Sequence, residues 1–525
     1  MSLILDNLDL VMFGVLCAGI LLGFPVIFTL SGIGIAFALI GNATGHFDIA
    51  LMRAFSTRIF GIMTNEVLMA IPMFVLMGVI LERSKLAEEL LEEMGRLFGS
   101  LRGGLAVSVT IVGALLAAST GIVGATVVTM ALIALPTMLR NGYSRELAAG
   151  AVCSAGTLGQ IIPPSTMLII LSEVMSSGYQ QAQFAQGLFS VETISVGQIF
   201  AASLVPGLML VGLYIAYLLL FAWLRPSRAP ALPPRAPQDR VSTGRLLRVL
   251  MPPIILIVAV LGSILGGVAT PTEAASVGAV GALILAGQRF APGASRIPTM
   301  LAAVGIVAML VMTQFLDLRL GRAAIGTEAE RLGIWLAAGL SALVAYGVLV
   351  SLWRALRSGV LGAIVGQTMV VTCMIFAMLI GASIFSLVFR GLGGDVRVEA
   401  FLTNMPGGQA AALFFVMALI FVMGFFLDFV EISVIVLPIV IPVLLLMDTD
   451  PIWLAVMIAI NLQTSFMTPP FGFSLFYLRG AAPPEVRTLD IYRGVAPFVI
   501  INVIGIFVIY LFPIIGTWLP RALFG

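Results

Sequence analysis

STGIVGATVVTMALIALP (119–136), followed by AGTLGQIIPPST (155–166), has a counterpart in the second half of the chain. There GFFLDFVEISVIVLP (424–438) is followed by NLQTSFMTPPFGF (461–473). Each pair reads as a polar tip, an apolar helix, Leu-Pro, and then an apolar run interrupted by a polar stretch and Pro-Pro. Setting Pro136 against Pro438 puts Thr126 against Asp428. Setting Pro163-Pro164 against Pro469-Pro470 puts Gly159-Gln160 against Ser465-Phe466. Proline removes a backbone donor and clashes with the preceding turn, so two in succession stop a helix. Lipid cannot satisfy the freed carbonyls, and such backbone survives only inside protein or around a cavity.

The rest of the chain supports a membrane setting. Of 525 residues, 60% are apolar and 10% charged, against about 25% charged in a soluble domain. Apolar runs of the length that crosses a bilayer fall near 8–40, 64–82, 145–177, 197–224, 246–266, 269–288, 298–316, 333–352, 359–389, 451–478 and 494–518. Two more, 101–140 and 409–447, are long apolar stretches with a break in the middle that does not resemble a solvated loop. They read as re-entrant hairpins. The N-terminus lacks a basic region before its apolar run, so a retained anchor is expected rather than a cleaved signal. A net charge of +2 gives no reason to expect nucleic acid. Cys17, Cys153 and Cys373 sit in apolar segments and read as small buried hydrophobes, and His46 as a loop residue.

Arginine placement sets the orientation. The proline-rich linker 225–245 and its flank carry Arg225, Arg228, Arg235, Arg240, Arg245 and Arg248, and should be cytoplasmic; 178–196 has no Lys or Arg and should be periplasmic. Counting spans from there, the first hairpin opens to the cytoplasm and the second to the periplasm. Arg53 and Arg58 fit this bias poorly. The fold expected is an all-α polytopic membrane protein of inverted repeats, each with a re-entrant helical hairpin and a broken transmembrane helix, as in many secondary transporters. Its parts are N-terminal scaffold spans (1–100), a first transport repeat (101–196), central scaffold spans (197–389), a second transport repeat (390–493) and a C-terminal span (494–525). The stretch 84–98 (SKLAEELLEEMGRLF) places Leu86, Leu90, Leu91, Met94 and Leu97 on one helical stripe. It reads as an amphipathic helix at the cytoplasmic interface or as one packed on another subunit.

Broken helices bring oxygen ligands suited to a small hard cation and half-helix N-termini suited to an anion. Na⁺ and a carboxylate can thus adjoin without a buried Lys or Arg. Asp428 and Glu431 are three residues apart inside the second hairpin, so on a helix they share a face and read as functional. Glu273 is an intramembrane carboxylate, but Thr270-Pro271-Thr272-Glu273 reads better as a capping box with Pro at the first helical position. Asp317, Arg319 and Arg322 read as a solvated loop, and Glu173 as an interfacial residue.

GALLAASTGIVGATVVTMALIALPTM (113–138), AGTLGQIIPPST (155–166), GVATPTEAASVGAVGAL (267–283), GFFLDFVEISVIVLPIVIPV (424–443) and NLQTSFMTPPFGFSLFYLRG (461–480) resemble the large membrane (M) subunit of tripartite ATP-independent periplasmic (TRAP) transporters. The resemblance covers nearly the whole chain. An excess near 290–352 holds two extra apolar segments, as in the longer branch often labelled for mannitol or chloroaromatic compounds. The resemblance implies an elevator-type, ion-transporter-superfamily-like importer in the bacterial inner membrane, driven by Na⁺ and needing no other cofactor. It implies a separate small four-span membrane (Q) subunit, a periplasmic solute-binding (P) protein and a small organic acid as substrate. By position it implies Na⁺ sites at Ser119, Thr120, Gly121, Gly124, Thr126, Gly156, Thr157 and Pro163, and at Asp428, Gln463, Thr464, Ser465, Thr468 and Pro469. A substrate site would involve Gln160, Pro164, Ser165, Glu431, Ser433 and Pro470. A stand-alone carboxylate symporter is the alternative. An intramembrane enzyme would need a nucleophile with its base or a metal cluster, and a channel needs no Pro-Pro pair in each half.

Overall fold

The computed structural model describes residues 5–232, 243–316 and 328–525, and among these there are helices and no strands. Among the described residues six helices are long and apolar enough to cross a membrane by themselves, and shorter apolar helices lie between them. The expected loop at Asp317, Arg319 and Arg322 lies outside the described residues, as do residues 233–242 of the 225–245 linker.

The first hairpin has arms Gly104–Thr120 and Val123–Arg140. The second has an outbound arm, Gly408–Met423, and a return arm in two pieces, Phe429–Ile435 and Leu437–Leu446, bent by 57°. The aligned prolines therefore act differently. Pro136 is tolerated inside a continuous helix, whereas Pro438 begins a new one. The first broken span is Arg145–Thr157, a short 3-10 turn at Leu158–Gln160, an irregular stretch, and Thr166–Ala185. The second is Pro451–Met467 and Phe473–Ala481. Both Pro-Pro peptide bonds are cis.

Packing between these units is reciprocal. The first hairpin's return arm lies on Phe473–Ala481, the half-helix after the second break. The second hairpin's Leu437–Leu446 lies on Thr166–Ala185, the half-helix after the first. Arg145–Thr157 packs on Thr488–Leu511, and Pro451–Met467 packs on Val196–Leu224. The closest of these approaches needs glycine on both sides. A Cβ at Gly150 would run into the backbone of Gly494, and one at Gly494 into that of Glu146. Small residues at helix crossings let backbones meet this way in membranes, where no hydrophobic force drives helices together. Around this assembly, Ala70–Arg83 packs on Pro271–Gly287 and Val26–Ala43 on Leu361–Gly391.

Several expectations change. The apolar run 8–40 is two helices, Leu8–Leu21 and Val26–Ala43. The chain turns between them at Gly23 (φ +84°) and Pro25, which has no N–H to continue the first helix. The last run likewise divides at Pro513 into Thr488–Leu511 and Ile514–Phe524. Two short helices, Ala54–Met63 and Gly394–Thr403, are additional. The amphipathic helix is Leu86–Phe98, and its stripe of Leu86, Leu90, Leu91 and Met94 is buried on this chain's own first hairpin. It needs neither membrane nor partner to cover it, and Leu97 is exposed. The capping box at Glu273 is present: Thr270 Oγ1 accepts from Glu273 N at 3.3 Å, and Glu273 Oε2 accepts from Thr270 N at 2.8 Å.

Candidate functional site

The two hairpin tips and the two breaks converge. At the first tip, Gly121 adopts φ +60°, a left-handed conformation that suits glycine. Its carbonyl accepts from Thr166 Oγ1 at 2.8 Å, which ties the tip to the half-helix after the first break. Ile122 stands at the N-cap of Val123–Arg140 and makes no capping hydrogen bond. That helix therefore begins with no side-chain acceptor of its own at the cap. Gly124 lies under the ring of Tyr477, whose carbons would be 3.0 to 3.2 Å from an added Cβ.

The second tip is built differently. Asp428 is the N-cap of Phe429–Ile435, accepting from Phe429 N at 2.6 Å, and Glu431 Oε2 accepts from Asp428 N at 2.9 Å. The two carboxylates form a capping box, so Asp428 precedes the helix instead of sharing a face of it with Glu431. The spacing that reads as capping at Glu273 is the same one.

Between the tips lies a cavity of about 360 Å³, within the range of small-molecule sites. The first tip contributes Gly121 to Ala125, the second Asp428 to Val430. Thr166, Phe466 and Tyr477 come from the broken spans. The outer wall is Glu82, with Gln367, Val371, Met374 and Ile375 on Leu361–Gly391. Its charged lining residues are two acids, Glu82 and Asp428; it has no Lys, Arg or His. Arg83, next in sequence to Glu82, donates to Gln367 Oε1 at 3.0 Å. Thr129 Oγ1, on the first hairpin's return arm, donates to Glu82 at 3.5 Å.

Of the residues expected at the site, Gly121, Gly124 and Asp428 line this cavity. Gly156 is a packing position, since an added Cβ would meet Val127. Thr157 sits where the breaks meet, donating to Ser154 O at 2.9 Å and lying 3.1 Å from Met467 Sδ of the other broken span. Ser165 donates to Gln160 O, Thr464 to Ile460 O, Ser465 to Leu462 O, Thr468 to Thr464 O and Thr126 to Ile122 O. A hydroxyl whose proton is spent on a carbonyl keeps lone pairs with which to ligate a cation. Gln160, Ser433 and Gln463 are buried, and among the described residues both amide atoms of Gln160, the Ser433 hydroxyl and Gln463 Oε1 have no hydrogen-bond partner. Pro163, Pro164, Pro469 and Pro470 make the breaks themselves. Ser119 and Thr120 end the outbound arm, and their side chains lie outside the described residues.

Sequence reasoning missed Glu82, Gln367, Thr166 and Tyr477. It also missed a buried chain from Gln463 through Tyr214 to Asn502, with contacts of 3.4 and 2.7 Å. An acid ending an apolar run and a glutamine inside one were the available signals for the first two.

Converging hairpins and broken spans around a small-molecule cavity define a polytopic membrane transporter. The sequence matches the family described as the tripartite ATP-independent periplasmic transporter, DctM component, over residues 13–314 and 330–515. The chain belongs to that family and is a TRAP transporter large permease. It is 26% identical to the C4-dicarboxylate TRAP transporter large permease protein DctM of Vibrio cholerae, over 96% of each chain. It is 23% identical to the ectoine TRAP transporter large permease protein TeaC of Halomonas elongata, over 96% of this chain and 97% of that one. The fold is similar to that of the YdaH transporter of Alcanivorax borkumensis, with TM-score 0.54, 14% identity, and 90% and 89% of the two chains covered.

Proposed function

We propose that this permease imports a small organic acid by Na⁺ symport across the bacterial inner membrane. A periplasmic binding protein delivers the substrate, and a small four-span subunit completes the complex. The two hairpin-and-break units form inverted repeats and carry the site past the scaffold as an elevator. The reciprocal packing of hairpins on half-helices supports that division, because it binds the units to each other.

The observation that carries the sodium reading is the charge of the cavity. Glu82 and Asp428 line it and no cationic side chain does. A substrate carboxylate entering alone meets like charge. At about 4 Å and an effective dielectric of about 20, each such pair costs about 4 kcal/mol. Cations entering with the substrate reverse that sign. Hydroxyls turned to carbonyls at Thr157, Thr464, Ser465 and Thr468, with the unpaired amide of Gln160, supply hard oxygen ligands. The first hairpin's helix begins at the cavity without a cap, which suits the carboxylate.

Energetics favour more than one ion. A tenfold Na⁺ gradient gives about 1.4 kcal/mol, and one charge moving through about 100 mV gives about 2.3 kcal/mol. One Na⁺ with a monocarboxylate is electroneutral and gains only the chemical contribution; two gain about 5 kcal/mol.

The test is uptake into liposomes holding this chain and its small subunit, with the matching binding protein outside. Uptake should require Na⁺ with a Hill coefficient above one. Uptake unchanged without Na⁺ and collapsed by a protonophore would overturn the sodium assignment. Full uptake by this chain alone would identify a stand-alone symporter.

A further inference from the structure

A second cavity, of about 540 Å³, opens where one end of Arg145–Thr157, Val196–Leu224 and Thr488–Leu511 come together. Arg225, Arg228 and Arg493 line it, with Glu146 the sole acid among the lining residues. None of the three arginines makes an ion pair among the described residues. Arg225 instead lies over the Phe221 ring, 5.7 Å from its centroid. The arginines are not on a loose tail. Arg228 O accepts from Ser144 N at 2.9 Å, and Ala229 O from Gly103 N at 3.0 Å, so the backbone after Leu224 is held against the first hairpin and the first broken span.

Apart from Ser144 and the Tyr217 hydroxyl the remaining wall is apolar, and one side of it is exposed. Leu220 and Leu224 line the cavity and are 54% and 62% exposed, and neighbouring Trp223 is 74% exposed. A tryptophan beside leucines at the end of a span marks the level where acyl chains meet headgroups. Excess positive charge inside, with a hydrocarbon-facing wall beside it, matches one ligand chemistry: a phosphate carrying acyl chains. Basic pockets between spans hold anionic headgroups in this way. We propose that this cavity binds the phosphate of an anionic phospholipid, with its chains lying along Leu220 and Leu224. A free phosphate shares the headgroup chemistry but gains nothing from the leucine wall.

The test uses the full chain purified in a neutral detergent. Phosphatidylglycerol, phosphatidylcholine and inorganic phosphate are added separately, and lipid retention is read by native mass spectrometry beside the melting temperature. Phosphatidylglycerol should be retained and raise the melting temperature, while phosphatidylcholine and inorganic phosphate do neither. Arg225→Gln, Arg228→Gln and Arg493→Gln should each weaken phosphatidylglycerol binding about fivefold, and the triple variant should lose it. The corresponding lysine variants, which keep the charge, should retain it. Single variants keep the test open if the triple variant does not fold. Equal retention of the two lipids, an equal melting shift from inorganic phosphate, or undiminished retention in the glutamine variants would overturn the proposal.

Discussion

Thr166→Val exchanges a hydroxyl for a methyl of nearly the same shape, at a position 2% exposed. It removes one interaction, the 2.8 Å hydrogen bond from Thr166 Oγ1 to the carbonyl of Gly121 at the tip of the first hairpin. In water-free surroundings a stranded acceptor costs about 1–3 kcal/mol. Hydrogen bonds measured between membrane helices average about 0.6 kcal/mol, with a maximum near 1.7 kcal/mol. The lower range is the better guide, because an unfolded segment in lipid also finds partners. If an ordered tip is part of the binding-competent state, this cost lowers the population of that state and weakens apparent affinity in proportion. About 0.6 to 1.7 kcal/mol is a threefold to twentyfold change in the binding equilibrium, which for two Na⁺ bound together is a rise of about twofold to fourfold in the Na⁺ concentration for half-maximal uptake. The assay is Na⁺-dependent uptake in proteoliposomes, with a melting curve taken on the same preparation. Thr137→Val is the control. It deletes a 2.8 Å hydroxyl bond to Ile133 O on the return arm of that hairpin, at a residue that does not line the cavity. An unchanged Na⁺ response in Thr166→Val, or an equal change in Thr137→Val, would refute the claim that this bond holds the tip for binding.

Asp428→Asn keeps a capping acceptor but removes a charge from the cavity, and should raise the half-maximal Na⁺ concentration at least tenfold or abolish uptake while the protein still folds; wild-type Na⁺ dependence would move the cation site elsewhere. Gly424→Ala drives a methyl into Ser465 Oγ, and overpacking of this kind should cost about 1–3 kcal/mol, visible as a lower melting temperature, with an unchanged melting curve counting against the close approach. In a background with Cys17, Cys153 and exposed Cys373 replaced, single cysteines at Gly187 and Asn404, both exposed, should react with an impermeant reagent applied from the periplasm, whereas one at exposed Glu485 should not; labelling of the last would undo the opposed orientation of the two halves.

What was legible in the sequence followed from rules that act locally. Proline removes a backbone donor, and both breaks lie at Pro163-Pro164 and Pro469-Pro470; Pro252-Pro253, by contrast, are carried within the helix Thr243–Leu265, so the pair marks a break only together with the polar stretch before it. The cap at Glu273 is a four-residue pattern and formed as read. The split at Pro25 was readable by the same rule, but no polar residue interrupts the run around it, and hydropathy alone joined the two helices. The cavity wall was not legible, because it is assembled from distant elements. Nothing near Tyr477 announces that its ring covers Gly124, and Glu82 looks like the first charge of the amphipathic helix that follows it.

The two halves share a pattern but not a chemistry, and the difference lies at the tips. Thr126 aligns with Asp428, yet Thr126 lies a turn inside its helix, bonded to Ile122 O, while Asp428 stands ahead of its own as the cap. Two identical tips would present two uncapped helix starts to one cavity and would favour two negative groups on the ligand. Here the second start is occupied by the chain's own carboxylates, and only the first is headed by a residue without an acceptor. Around them the lining is largely apolar, with Phe429, Phe466, Val371 and Ile375. A ligand with a single carboxylate and an apolar body suits that arrangement better than one charged at both ends. The acids at Glu82 and Asp428 then need counter-charge from bound cations, not from the substrate. Competition of uptake by aliphatic and aromatic monocarboxylates, set against C4-dicarboxylates, separates these cases. Dicarboxylates should compete at least tenfold less well, and the reverse order would mean that the second tip gives up its cap when substrate binds.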